Sequence, residues 1–343
     1  MPHEHRARRN LAWLPKAHLH LHFTGSMRHA TLVELADRHG VSLPVALREQ
    51  WPPQLSGTDE RGWFRFQRLY DIARSVLRTE ADVRRLLDEA VADDAAEGSR
   101  WLEIQVDPSG YAARFDGLTA FTELVLDAAA RAGRTHGVGV AVLIAANRTR
   151  HELDSRTLAR LAARFIGRGV VGFGLSNDER RGAADTFARA FAIARRAGLL
   201  LAPHGGELAG PGSIRACLDV LRADRLGHGV RCVEDPALLA RVAEQRIGLE
   251  ICPASNVSLG VYPDAQAVPL RRLVDAGAAV ALGADDPLLF GQRLLAQYET
   301  ARTVHGLSDA ELAGLAASSF EVSAAPAEVR REAAADIAGW LRD

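Results

Sequence analysis

Cysteine is scarce: Cys217, Cys232 and Cys252 are the three in 343 residues, widely spaced and with no C-x-x-C pair among them. That excludes a disulfide framework and a thiolate zinc site, and it suits a reducing cytoplasm. An excess of one charge is lacking too, since 42 Lys and Arg stand against 43 Asp and Glu, for a net charge of −1. A sequence-independent grip on nucleic acid needs surplus basic residues on the binding face, so a small-molecule partner fits better. No run approaches the roughly 18 apolar residues of a membrane span. The longest strongly apolar stretch, "VGVAVLIAA" from Val138, has the length of a buried strand. The opening "MPHEHRARRN" is basic, but the apolar segment of a secretory signal does not come after it, and the first six residues are expected to be mobile. Neither a low-complexity linker nor a solenoid repeat divides the chain, so it reads as one domain over 1–343, a length that an α/β barrel occupies.

Present instead is an alternation of short apolar runs with longer Ala, Leu and Arg patterns of helical period. The runs predict strands at 17–23, 101–106, 138–145, 170–175, 199–204, 225–228, 247–252 and 280–284. Between them lie helical segments such as "RTLARLAARFIG", "DTFARAFAIARRAG" and "DPALLARVAEQRIG", the last with Asp235 as N-cap and Pro236 at the first helical position. Eight βα repeats with right-handed crossovers imply a parallel sheet able to close into a (β/α)8 TIM barrel. A helical insertion from about 45 to 98, including "WPPQL" and "FRFQRLYDIARSVL", interrupts the first repeat and is expected to cover one barrel end. The Ala-rich tail from about 308 reads as helical.

The first strand carries "HLHLHFTGSMR", with histidine at 18, 20 and 22. Alternate residues of a strand face one side, and a dry core gains nothing from three rings whose donors and acceptors need partners. A metal accounts for at least two of them. In a barrel, catalytic groups gather at the carboxyl ends of strands, and there the unusual polar residues fall. His20 and His22 end strand 1, His204 ends strand 5 in "PHGGE", His228 ends strand 6 in "RLGHGV", and Asp285 with Asp286 ends strand 8 in "GADDP". Alone, "HGGE" is a loop and "GADDP" an Asp cap before Pro287. Together they outweigh those readings.

Imidazoles plus a carboxylate, without thiolates, suit Zn²⁺ with a position left open for water. The expected ligands are His20, His22, His204 and Asp285, with His18 as an alternative member of the first pair. Bound water then ionises near neutral pH. Asp286 comes directly after a ligand and is aimed toward the attacking water. Glu207 lies three residues past His204, after two glycines that let the backbone turn, and burial raises its pKa so that it donates a proton. His228 takes the water's proton or holds the nucleophile in line.

These motifs, from "LPKAHLHLHFTGS" through "HGGE", "RLGHGV" and "EICPASNV" to "ALGADDPLLF" and "SSFE", resemble the adenosine deaminase group of the amidohydrolase superfamily over nearly the whole chain. The resemblance implies a zinc (β/α)8 barrel that hydrolyses the 6-amino group of a purine. It gives zinc ligation to His20, His22, His204 and Asp285, protonation of ring N1 to Glu207, and the water to His228 and Asp286, with His22 also facing the substrate. Other zinc deaminases use similar chemistry with a P-C-x-x-C signature on another fold. That signature is absent here.

Two departures bear on the substrate. Where the family usually has Asp against the ribose 5′-hydroxyl, this chain has Thr24, and four residues on stands Arg28, a planar cation suited to a carboxylate. The "HFTGSMR" form looks like aminodeoxyfutalosine deaminases, which act in menaquinone biosynthesis on an adenine nucleoside whose 5′ extension ends in an acid. That nucleoside is the expected substrate, with adenosine or a broader range of 6-aminopurine nucleosides as the alternative. In "GFGLSNDE", Asn177 stands where the family commonly has Gly, so the resemblance places it on the purine, supported by Glu179. "VPL" at 268–270 replaces a common His-Pro, and the sequence assigns that change no effect. A barrel that had lost turnover would lack a ligand or a proton donor, and none is missing. A hydrolase of a lactone or amide would not need Glu207 beside a ring nitrogen. A homo-oligomer is left open.

Overall fold

The structure, a computed structural model, describes residues 9–342, so the expectation for the first six residues lies outside the described part. Eight strands appear near the predicted places: β1 Lys16–His22, β2 Ser99–Val106, β3 Gly139–Asn147, β4 Val170–Ser176, β5 Leu200–Gly205, β6 Arg225–His228, β7 Gly248–Ile251 and β8 Val280–Leu282. All neighbours pair in parallel and in chain order, β1 to β8. The closure is made by two backbone hydrogen bonds, His22 N–H to Asp285 O at 3.0 Å and Asp285 N–H to His20 O at 2.9 Å. The result is a (β/α)8 TIM barrel of the α/β class. β8 ends two residues earlier than expected, and pairing past Leu282 resumes only at the Leu21–Asp285 bridge.

The strands are buried on both faces, as parallel strands covered by helices must be. Local signals set the helix starts. Asp235 accepts the Leu238 N–H at 3.0 Å and Pro236 occupies the first helical turn. Ser308 and Glu311 form a reciprocal cap on the tail helix Asp309–Glu321. A last helix, Ala327–Arg342, completes the described chain.

The long connection after β1 divides into two parts with different jobs. The helix Glu60–Ser75 lies over the carboxyl end of the barrel, with Trp63, Phe66, Gln67, Tyr70 and Arg74 facing the cavity beneath it. The helix Glu80–Ala96 instead packs beside β2 and the helix Leu118–His136, as the outer helix of the first repeat. Only the first is a cover. Among the described residues, no helix is long and apolar enough to cross a membrane.

Candidate active site

His20 and His22 project from the end of β1 with one residue between them, and their rings meet edge to face at 5.1 Å between centroids. His204 comes from β5, its ring 4.8 Å from that of His20 and 5.2 Å from that of His22. Ligand atoms of His20, His22 and His204 all lie within 4.8 Å of one another, and so do those of His20, His228 and Asp285. Asp285 Oδ1 is 3.3 Å from His22 Nε2 and 3.6 Å from His20 Nε2. Both His228 and Asp285 hold left-handed backbone conformations, at φ of 66° and 62°. This region is strained for residues with a Cβ, and it turns each side chain inward just as its strand ends.

The packing leaves no slack. A Cβ at Gly25 would fall 1.8 Å from Asp286 Oδ1, and one at Gly227 would fall 2.6 Å from His204 Cδ2. Glycine at these two places is therefore a condition for Asp286 and His204 to reach the site.

Four buried polar atoms here have no hydrogen-bond partner: His20 Nε2, His228 Nδ1, Glu207 Oε1 and Asp286 Oδ1. Orphaned buried groups cost stability unless something satisfies them. At His20 the other nitrogen is spoken for, because Nδ1 bonds Glu250 Oε2 at 2.6 Å, so Nε2 is the nitrogen that faces the cluster. The donor set of imidazoles and one carboxylate fits a divalent zinc-type ion held by His20, His22, His204 and Asp285.

The electrostatics separate the acids into two kinds. Burial works to raise Asp285, yet its contacts with His20 and His22 hold it well below the usual carboxylate range. Burial wins at Glu207, which is pushed well up, and at Asp286, which rises to about 7. Burial likewise keeps His204 well below its ordinary value and lowers His228 to about 3, so both rings are neutral. At His20 burial is overcome by Asp285 and Glu250, which lift it to about 10; the cage attracts positive charge. A site with a charge-attracting carboxylate, a Glu207 biased by burial toward its protonated form and an Asp286 raised to about 7 can pass a proton in two directions.

The other residues singled out in the sequence separate in the structure. His18 is no ligand, because Nδ1 bonds Asp94 at 2.9 Å and Nε2 accepts the Ala284 N–H at 3.1 Å. Thr24 lines the cavity and hydrogen-bonds the Tyr111 hydroxyl. Asn177 lines it too, with its amide turned to the cover: Oδ1 accepts from Trp63 Nε1 at 3.2 Å and Nδ2 donates to Gln67 at 3.0 Å. Glu179, expected to support Asn177 at the purine, lies outside the cavity lining and anchors the loop after β5 instead. Its carboxylate accepts the N–H groups of Gly206, Glu207, Leu208 and Ala209 at 2.5–3.1 Å. Arg28 is also corrected. It stands at the N-cap of the helix His29–His39, outside the cavity lining, and grips Asp93 through Nε at 3.1 Å and Nη2 at 2.6 Å. The cation that does line the cavity is Arg74, beside Tyr70 and Tyr111. Nothing in the local sequence sets Arg74 apart from other helix arginines. Gln105, between His20 and His204, is likewise hidden in a strand.

A parallel barrel with this cluster at the carboxyl ends of β1, β5, β6 and β8 defines a hydrolase of the amidohydrolase class. Within it, the chain belongs to the adenosine deaminase family, whose model, described as "Adenosine deaminase", matches residues 15–340. A relative from Streptomyces coelicolor named "Putative adenosine/adenine deaminase" is 62% identical, covering 97% of this chain and 98% of its own. An adenine deaminase from Cupriavidus necator is 35% identical, covering 94% of this chain and 91% of its own. In the solved structures, the adenine deaminase from Arthrobacter aurescens superposes with a TM-score of 0.88 at 28% identity, over 96% of this chain and 99% of that one.

Proposed function

We propose that this protein is a zinc-dependent aminohydrolase that replaces the 6-amino group of an adenine-type purine, adenine or adenosine, with oxygen and releases ammonia. The observation that carries it is the convergence of His20, His22 and His204, with Asp285 Oδ1 3.6 Å from the unpartnered Nε2 of His20 and 3.3 Å from His22 Nε2, and the buried acid Glu207 in the same cavity. A bound zinc supplies the charge that lets water lose a proton near neutral pH. Asp286 and His228 hold that water on one face of the purine ring and accept its proton. Glu207, kept protonated by burial, donates to ring N1, so that C6 accepts the nucleophile without a negative charge building on the ring. The proton held by Asp286 then passes to the departing amine, and as the C6–N bond breaks the proton of the new C6 hydroxyl returns to Glu207. Glu179, by accepting four N–H groups of the loop after β5, holds the Glu207 backbone in place.

Adenine and adenosine are favoured by the names of the relatives. The second reading is 6-amino-6-deoxyfutalosine, the nucleoside with an acid-ended 5′ extension. It is favoured by neutral Thr24, whose hydroxyl is engaged by Tyr111, and by Arg74 on the same wall, whose Nε has no partner. Three free, buried cysteines support a reducing compartment such as the cytoplasm. The partner is a small molecule, with neither nucleic acid nor membrane involved.

Ammonia release from adenine, adenosine and 6-amino-6-deoxyfutalosine by the zinc-loaded protein tests both readings. Adenine or adenosine is expected to have the highest kcat/KM, with Arg28→Met leaving every value within about threefold, as for an exposed ion pair. The second reading replaces the first if the acid-ended nucleoside is preferred more than about tenfold and Arg74→Met costs it roughly 30- to 1000-fold, the loss of a buried charged contact. No release from any 6-aminopurine overturns both.

A further inference from the structure

Beneath the metal cage, a chain of charged side chains crosses the barrel interior. Glu103 of β2, Arg225 of β6, Glu250 of β7 and His20 of β1 are all fully buried. Arg225 donates through Nε to Glu250 Oε1 and through Nη2 to Glu103 Oε2, the latter at 2.6 Å. Glu250 uses its other oxygen, Oε2, for His20 Nδ1 at 2.6 Å. At the far end, Glu103 Oε1 accepts from Trp101 Nε1 at 2.9 Å and from the Ala324 N–H at 2.6 Å, while Arg225 Nη1 reaches Val322 O at 3.0 Å. The connector between the two tail helices thus plugs the amino end of the barrel onto these groups.

Two features of this chain point toward the metal. Each carboxylate oxygen of Glu250 serves a different partner, so the direction of Oε2, and with it the plane of the His20 ring, is set by where Arg225 holds Oε1. Besides, two carboxylates face one guanidinium, so the second buried negative charge is answered only through His20. A lone buried charge is costly. A cation on the opposite nitrogen of His20 answers it.

We propose that Glu250 and Arg225 are positioning residues for the metal. Glu250 holds His20 in the tautomer and orientation that present Nε2 to the cage, and Arg225, braced by Glu103 and Val322, holds Glu250. Neither residue takes part in the proton transfers assigned to Glu207, His228 and Asp286. This inference rests on the metal reading and extends it to the floor of the barrel.

The test measures zinc affinity by competition with a chromophoric chelator, the visible d–d spectrum of the cobalt(II)-substituted protein, and the Tm of the metal-free protein. Glu250→Gln keeps shape and volume while removing the charge; it is expected to weaken zinc binding about 10- to 100-fold and to alter the cobalt spectrum. Arg225→Lys keeps charge without the two-pronged grip and is expected to fall between wild type and Glu250→Gln. Arg225→Met leaves two buried carboxylates unpaired, and if it fails to fold, Glu250→Gln decides. Wild-type affinity and spectrum in Glu250→Gln overturn the proposal. So does a lower metal-free Tm with unchanged affinity, which marks a purely structural role. If the wild-type protein itself holds neither zinc nor cobalt, the metal reading fails, a different result from this one.

Discussion

Glu207→Gln is expected to lower kcat for deamination by about 10²- to 10⁴-fold, the range for losing a positioned general acid, while zinc content stays at the wild-type level. Glu207 is 4% exposed, its Oε1 has no partner, and its Oε2 stands 3.5 Å from His228 Nε2. Burial raises its pKa because the charged form is the one deprived of water. Burial therefore biases the acid toward its protonated form, where an ordinary carboxyl is ionised. Glutamine matches the shape but has no acidic proton to give. The pH profile carries a second sign. Activity needs Asp286 ionised and Glu207 protonated, so it is expected to fall on acidification through the region where Asp286, lifted by burial to about 7, takes up its proton. It falls again at high pH as Glu207 ionises. In Glu207→Gln the alkaline limb is expected to vanish with the acidic limb retained. Steady-state rates between pH 5 and 10, with metal analysis of the same samples, check this; an unchanged alkaline limb would assign that proton to another group.

Asp285→Asn is expected to abolish measurable turnover by emptying the metal site. The amide fills the space of the carboxylate, and Asn tolerates the left-handed backbone that position 285 adopts at φ of 62°, so the fold is kept. The loss is the charge in the cage, the one carboxylate there that its neighbours hold firmly ionised. Removing a group that acts only through a ligand already costs about 10- to 100-fold in metal affinity; removing a charged ligand itself is expected to exceed 100-fold. Stability gives an independent readout. Zinc at a hundred times its Kd adds about 2.7 kcal/mol to the folded wild type, so chelation is expected to lower the wild-type Tm and leave that of Asp285→Asn unmoved. Equal responses to chelator in the two proteins would remove Asp285 from the ligand set.

Much of this site is legible in the chain because its chemistry is concentrated in short segments at strand ends. The alternation in "HLHLH" and the pairs in "HGGE" and "GADDP" place polar residues where apolar runs stop, and a parallel barrel brings such ends together. Partners far apart in sequence are not legible in this way. His18 looks equivalent to His20 and His22, and what distinguishes it comes from far along the chain, Asp94 on the helix after the cover and the Ala284 N–H. Arg28 sits near the ligands in sequence, but the helix it begins directs it outward to Asp93; Arg74 comes from the cover, whose placement no local pattern specifies. A usable signal does lie in "RWLEIQV" and "GLEIC". A glutamate inside a strand buried on both faces must be paired, so Glu103 and Glu250 together call for a buried cation, which the structure supplies as Arg225.

The barrel is closed by the amide groups of His22 and Asp285 and by His20 O, the same residues whose side chains are assigned to the ion. First and last strands are therefore zipped by the residues that carry the chemistry, and selection on one cannot proceed without the other. A substitution that loosens this seam also misplaces the ligands, while an ion seated among them rivets together two ends of the sheet separated by more than two hundred and fifty positions of chain.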